Sequence, residues 1–488
     1  MIDSSKKEVR VRFAPSPTGH FHIGGARLAL NNFLFAKKNN GKFILRIEDT
    51  DKERSKKEFE NEIYESLRWL NIKWDEGPVS FDGQNNEVGE YGPYRQSERK
   101  EIYKKYLQKL LDEKKAYWCY CTKEELEAQR EVMLADGLVP KYSGRCRALT
   151  EPPKNKRPQT IRFVVPETKV EFKDLIRGKV SFDASQFGDI VIAKDLESPL
   201  YNFAAVIDDY EMKITHVIRG EDHISNTPKQ ILIQKAFGFP ETIYAHLPLI
   251  LNPDRSKLSK RFAETSLLSY RENGYLPEAL VNFLILIGWH PKDNKEIFSL
   301  EELIQEFDLS RVQKAGAVFN EDKLNWINSK YIKNLSLNDL LLKTKPFFLK
   351  ANLNASDDFI LKILKIEQER MKTLKDAVDL SQFFFKLNDY DYNLLLWKNT
   401  SKEKTKEILE KIYQTLEMLS DEEFEKSMIL NKLTEIINLY GYSRGEVFWP
   451  LRVALSGLES SPDPTEISEI LGKKESLNRI KIAINKIS

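Results

Sequence analysis

The run Arg12-Phe13-Ala14-Pro15-Ser16-Pro17-Thr18-Gly19-His20-Phe21-His22-Ile23-Gly24-Gly25 governs how this chain is read. Val9 to Phe13 is Val-rich and alternates with Arg, as a strand does. Ala26 to Lys38 carries apolar residues at helical spacing and stops at Asn39-Asn40-Gly41, a helix C-cap signal. A strand-to-helix turn presents unpaired helix N–H groups and the positive dipole end to its ligand, which favours an anion. Pro15 and Pro17 stiffen this turn, and its glycines allow a close approach to the backbone. A Walker A loop is excluded. Gly19 and Gly24 have its spacing, but Gly25-Ala26 stand where Lys and Ser or Thr are required. The dinucleotide pattern G-x-G-x-x-G is absent. Two readings remain: a histidine-bearing nucleotide loop, and a Pro/Gly-rich turn with surface histidines.

A second segment, Lys257-Leu258-Ser259-Lys260-Arg261, follows Asn252-Pro253-Asp254-Arg255-Ser256. By composition it is a basic loop after a turn. It suits a solvated charge run, a localisation-type patch, or a flexible clamp that brings cations to a triphosphate.

The 488 residues allow several domains, each with its own core. Hydrophobic content of 41% and charged content of 31% are those of a soluble globular protein. A net charge of +2 excludes a polycation, so any nucleic-acid binding must rest on local basic patches. Met1 to Arg10 is polar and lacks a secretory core. The most apolar window, Ala279 to Trp289, is too short to span a bilayer, so no membrane partner is expected. Three cysteines without an export signal point to the cytoplasm and against a disulfide framework.

The fold class expected is α/β. Residues 1–100 alternate strand and helix signals, with a strand over Lys42–Ile47 and a helix around Lys57–Leu70, and form the first half of a nucleotide-binding domain. Residues 101–200 turn to a basic helix, a cysteine cluster and short strands (Thr160–Val165, Asp189–Lys194), which reads as an insertion. Residues 201–255 form the second half of that domain, in which Tyr201 to Glu221 returns to β-rich segments, among them Ile214–Ile218, which would rejoin the first sheet. Residues 256–330 are mostly helical, and 331–488 almost wholly so.

The two motifs together resemble the class I aminoacyl-tRNA synthetases. His22-Ile23-Gly24-Gly25 looks like their HIGH element and Lys257 to Arg261 like their KMSKS loop. The wider wording is similar to bacterial glutamyl-tRNA synthetases over nearly the whole chain. It includes Arg46-Ile47-Glu48-Asp49-Thr50-Asp51 and Val217-Ile218-Arg219-Gly220-Glu221-Asp222-His223. The resemblance implies a Rossmann-like parallel-sheet catalytic domain with an α+β insertion for the tRNA acceptor end. A helical stem-contact domain and an all-helical anticodon-binding region would follow. It implies a monomer that activates L-glutamate with ATP and magnesium (Mg2+) and loads tRNA(Glu), with tRNA(Gln) as a second acceptor to test.

In this chemistry the α-carboxylate of the amino acid attacks the α-phosphorus of ATP and pyrophosphate leaves. Alignment and neutralisation of the growing phosphate charge supply the acceleration. By resemblance, His22 contacts the phosphates with His20 nearby, and Gly24 and Gly25 let adenine or ribose lie against the helix start. Ile250 meets the adenine through its backbone and Asp222 lies near the ribose. Lys257, Ser259, Lys260 and Arg261 close on the phosphates. His22, Lys257 and above all Lys260 are the expected catalytic groups. Arg12, Ala14, Ser16, Glu48, Tyr201, Ala205 and Arg219 would surround glutamate. The arginines suit its carboxylates, Glu48 its ammonium, and a glutamine amide would leave donors opposed. Ala205 departs from relatives that carry Asn there. On its own, Arg46-Ile47-Glu48-Asp49 is a strand end with surface ion pairs. Asp208, Asp209, Glu221, Asp222 and His223 suit either a divalent-metal site or, for Asp208-Asp209, the end of a strand or turn.

All three cysteines fall in one short segment. Thiolates favour zinc in a tetrahedron. The family's Cys-x-His version fails at Ala148, whereas the version with a tyrosine four residues before the last cysteine matches Tyr142. The expectation is a structural Zn2+ site of Cys119, Cys121, Tyr142 and Cys146, against three plain buried thiols. Arg370 matches a family arginine that reads anticodon bases, and it equally suits a solvated helix face. Three rivals stand beside the glutamate enzyme. A glutaminyl enzyme would carry β-barrels after the catalytic half. An enzyme that glutamylates a tRNA base would lack the helical tail. A silent RNA-binding scaffold would not need His22, Lys257 and Lys260.

Overall fold

Strand β1 (Arg10–Phe13) is buried at every position, as a strand covered on both faces must be. It pairs in parallel with β2 (Lys42–Leu45) on one side and with the strand His216–Gly220 on the other. The sheet continues in parallel through Ile243–Leu247 to Lys169–Asp174, and ends in the antiparallel strand Gly178–Asp183. The computed structural model describes residues 8–79, 86–256 and 266–488. Two units divide them: residues 1–272 with 277–324, and residues 273–276 with 325–488.

Helix α1 (Ile23–Lys38) links β1 to β2 and starts inside the histidine turn, three residues earlier than the apolar periodicity alone suggests. Its exit is tight. Asn40 takes φ +50°, and a Cβ on Gly41 would lie 2.1 Å from the Val9 carbonyl oxygen. Only glycine fits that approach. The helix expected around Lys57–Leu70 spans Lys57–Trp69.

The region read as an insertion divides between two sheets. Ala116–Cys119, Thr160–Phe163 and Ile190–Ala193 form a separate antiparallel sheet. The hairpin 169–183 instead extends the main sheet. The segment Tyr201–Glu211, expected to be β-rich, is a helix, and the strand begins only at His216. Its run Phe203-Ala204-Ala205-Val206-Ile207 is apolar throughout and buried. A short buried run has no period that separates strand from helix, so its tertiary surroundings decide.

The second unit is helical, with Leu337–Lys350, Asp357–Glu367, Lys402–Glu417, Lys426–Tyr440, Arg444–Ser456 and Pro464–Ile487 as its main elements. Its core gathers Leu395, Ile408, Ile412, Leu433, Val447, Leu451 and Ile480. Among the described residues no helix is long and apolar enough to cross a membrane.

Candidate active site

Ligands of open parallel sheets sit beyond the strand carboxyl ends, where the strand order reverses. Here β1 and the strand His216–Gly220 are neighbours at that reversal. A cavity of about 300 Å³ opens there, lined among others by Arg12, Ala14, Ser16, Glu48, Tyr201 and Arg219. Six of the seven side chains expected around glutamate thus share one cavity. Ala205 is buried on the helix behind Tyr201 and does not line it. Asp222 and His223 stand at its rim.

His22 is the N-cap of α1. Its Nδ1 accepts the Gly24 amide at 3.1 Å, and burial lowers its pKa. The neutral ring therefore carries its proton on Nε2, leaving that nitrogen as a donor at the helix N-terminus. The room left by the glycines is taken by the chain's own rings. A Cβ on Gly24 would meet His22 at 2.9 Å, and one on Gly25 would meet Phe21 at 2.6 Å. His20 is exposed and pairs through Nδ1 with Glu62 at 2.8 Å.

Lys257, Ser259, Lys260 and Arg261 lie outside the described residues. The chain on either side is defined. Ile250–Leu251 pairs in parallel with Ala317–Val318 ahead of it. Behind it, Leu267 donates its amide to the Phe21 carbonyl at 2.7 Å, and the Ser266 hydroxyl bonds Glu62.

Below the cavity floor the ion pairs are interior ones. Arg46, fully buried, donates to Asp209 at 2.7 Å and to Glu48 at 3.0 Å. Arg12 donates to Asp209 at 3.1 Å. Asp208 accepts from Arg99 at 2.7 Å, Gln96 at 2.8 Å and Tyr103. Burial opposes ionisation of Asp209, but Arg12 and Arg46 outweigh it and hold its pKa below the usual value. Burial pushes the Glu48 carboxyl up despite the same two arginines. The expectation that Asp208-Asp209 ends a strand or turn is not met, and the pair is engaged by buried cations. Both lie on the helix Tyr201–Glu211, with Asp209 Oδ1 held by Arg12 and Arg46, Asp208 Oδ1 by Arg99, and Asp208 Oδ2 by Gln96 and Tyr103. The surface-pair reading of Arg46 fails for the same reason.

Arg219 is supported differently. It donates to His246 Nε2 at 3.2 Å, Thr227 Oγ1 at 2.8 Å and Tyr201 at 3.4 Å. Among the described residues no carboxylate pairs with it within 4.0 Å. His246 in turn pairs with Asp174 at 2.6 Å. No motif marks His246 or Asp174 in the sequence. The one available signal is a histidine inside the apolar strand Ile243–Leu247, fully buried.

The cysteine segment closes on itself. The thiol sulfurs of Cys119, Cys121 and Cys146 all lie within 4.8 Å of one another. The Tyr142 hydroxyl is 3.5 Å from Cys119 and 3.6 Å from Cys121. A tetrahedron with ligands about 2.3 Å from zinc has edges of roughly 3.8 Å, so this donor set fits such an ion. The Arg162 guanidinium stacks 3.8 Å from the Tyr142 ring centroid. Burial raises the Cys119 pKa, but the Tyr142 hydroxyl, the Cys121 amide and Arg162 bring it down to about 7. In the second unit Arg370 is held by Glu367 at 2.6 Å and by the Ser460 carbonyl at 3.3 Å.

The family model for "tRNA synthetases class I (E and Q), catalytic domain" matches residues 8–326, and an "Anticodon binding domain" model matches residues 339–484. The chain belongs to the class I tRNA synthetases. The α/β sheet, with its histidine turn at the strand ends and its helical second unit, is the fold expected of that family. Glutamate–tRNA ligase 1 of Caldicellulosiruptor saccharolyticus is 47% identical over 492 residues, covering 97% of this chain and 98% of that protein. The glutamate–tRNA ligase of Carboxydothermus hydrogenoformans is 47% identical over 493 residues, covering 98% and 100%. The crystal structure of a glutamate tRNA ligase from Elizabethkingia meningosepticum, in complex with its amino acid, is similar with a TM-score of 0.88 and 36% identity. The match covers 99% of this chain and 100% of that one. This synthetase is therefore an aminoacylating enzyme with a tRNA-binding region, not a silent scaffold.

Proposed function

We propose that this synthetase is a glutamate–tRNA ligase that activates L-glutamate with ATP and transfers it to the 3′ end of tRNA(Glu). The observation that carries the reading is Arg219, buried at the cavity wall with only neutral partners among the described residues. A buried guanidinium without a counter-ion is costly, and a bound side-chain carboxylate restores the balance. An amide would not. Glu48, at the same cavity, suits the ammonium, and Arg12 adds a second cation.

His22 Nε2–H at the start of α1 donates to phosphate oxygens as pyrophosphate leaves, while Lys257 and Lys260 of the basic motif add positive charge. Magnesium enters with ATP rather than on a dedicated protein site. Zinc on Cys119, Cys121, Tyr142 and Cys146 ties the insertion together, as soft-ligand sites of this kind do. The second unit, through Arg370, reads anticodon bases. A cytoplasmic monomer is the working state. The deciding experiment is aminoacylation with glutamate and with glutamine against purified tRNA(Glu) and tRNA(Gln). Glutamate charging of tRNA(Glu) is expected, and charging of tRNA(Gln) with glutamate is the second outcome to score. Glutamine as the preferred amino acid overturns the proposal.

A further inference from the structure

The strand His216–Gly220 lies beside Ile243–Leu247 with Arg219 opposite His246, and Tyr244 lies opposite Asp174 on the hairpin strand. Parallel pairing therefore sets an arginine, a histidine and an aspartate in a row behind the cavity. The polarity of that row is fixed by chemistry. The Arg219 Nε–H can only donate, so His246 Nε2, 3.2 Å away, must accept, and the Thr227 hydroxyl, 3.0 Å from the same nitrogen, can donate to it as well. The ring proton then sits on Nδ1 and is donated to Asp174 Oδ2 at 2.6 Å. The other carboxylate oxygen of Asp174 accepts the amides of Ile176 at 2.9 Å and Arg177 at 2.8 Å, so it cannot turn.

We propose that His246, oriented by Asp174, is a positioning residue that holds Arg219 without cancelling its charge and thereby sets the preference for an acid over its amide. The proposal rests on the glutamate reading above. A guanidinium has five N–H donors. Three face His246, Thr227 and Tyr201, all neutral, and among the described residues the other two, the number a carboxylate accepts, have no partner. A carboxylate in place of His246 would pin Arg219 equally well but would neutralise it in advance. Burial and the nearby Arg219 and Arg177 keep the imidazole neutral against the pull of Asp174. The Asp174 charge thus acts on Arg219 only through a ring, at second hand. Arg12 lacks such a device, since it touches Asp209 directly.

The test uses the full-length enzyme and two near-isosteric variants. In Asp174→Asn the amide faces His246 Nδ1 and favours the other tautomer, so that two donors meet at Arg219. In His246→Gln an acceptor can still reach Arg219 but the link to Asp174 is lost. For D174N the glutamate KM is expected to rise about tenfold or more, the loss of one buried charge-assisted bond, with the ATP KM within about twofold and the glutamate-over-glutamine ratio reduced. H246Q is expected to lie between D174N and the parent. In 15N-histidine spectra without substrate, the signal missing in H246Q should show protonated Nδ1 and bare Nε2 in the parent, and the reverse in D174N. A D174N enzyme with unchanged glutamate KM and unchanged discrimination overturns the proposal, as does a parent spectrum with Nε2 protonated. If the parent enzyme fails to charge glutamate, the substrate reading falls, and the tautomer measurement still decides the positioning role.

Discussion

The amide of Leu267 donates to the carbonyl oxygen of Phe21 at 2.7 Å, so the chain that follows the basic motif is fastened to the middle of the histidine turn. Glu62 reinforces the joint by accepting from the Phe21 amide at 3.2 Å, from Ser266 and, at its other oxygen, from His20. Two segments more than 200 residues apart in sequence are thereby joined.

Glu62→Ala is expected to loosen this joint and leave the amino-acid cavity intact. ATP–pyrophosphate exchange should slow on the order of tenfold, as misalignment costs in a positioning mechanism, with the glutamate KM nearly unchanged. A shift confined to the glutamate KM would separate Glu62 from the nucleotide.

Lys260→Ala should slow adenylate formation on the order of 100-fold, the scale of removing one preorganised charge from a transition state. Glutamate binding should change little. Unchanged turnover in pyrophosphate exchange removes Lys260 from the mechanism.

Arg46→Ala leaves Asp209 and Glu48 facing a void in the interior. Breaking a buried pair costs about 3–5 kcal/mol, measurable as a lowered urea midpoint for the first unit. Arg46→Lys keeps the charge but not the fork, and should fall between the two.

Protein purified without chelator should carry about one zinc per chain, and Cys146→Ser should lose it. Elemental analysis decides this, and absence of zinc from undamaged protein ends the assignment. Hydrogen exchange should rise in the sheet Ala116–Cys119, Thr160–Phe163, Ile190–Ala193 when the metal is removed.

Glu367 is buried, with one oxygen unpartnered among the described residues, and burial lifts its pKa from 4.5 to about 7 against the pull of Arg370. The folded state then holds an extra proton between those two values. Stability contributed by the protonated form is complete below 4.5 and is lost as pH rises through about 7. Glu367→Gln should therefore stabilise the second unit at pH 8, on the order of 3 kcal/mol, with the gain vanishing towards pH 4.5. Equal gain at both ends of that range contradicts the assignment.

Much of the catalytic frame is legible in sequence, because motif, strand period and helix signals agree between Val9 and Asn40. Arg12, Glu48, Tyr201 and Arg219 could be named from wording alone, and they line one cavity. Two kinds of information were not local. The apolar run of Tyr201–Glu211 has no decisive period, and its helicity follows from what packs around it. The partners Asp174, Asp208 and His246 owe their roles to strand register and to distant arginines, and a single sequence does not print register. The acidic pair 208–209 carried a metal-like signature for the same reason: its counter-ions lie elsewhere in the chain.

The hairpin 169–183 belongs by sequence to the stretch after the nucleotide half, yet by pairing to the catalytic sheet. Trimming this enzyme to a minimal activating core cannot follow the linear boundaries. A deletion from 101 to 200 would strip two strands from the main sheet and take away Asp174 with them. A workable miniature has to splice that hairpin back in as a graft of its own.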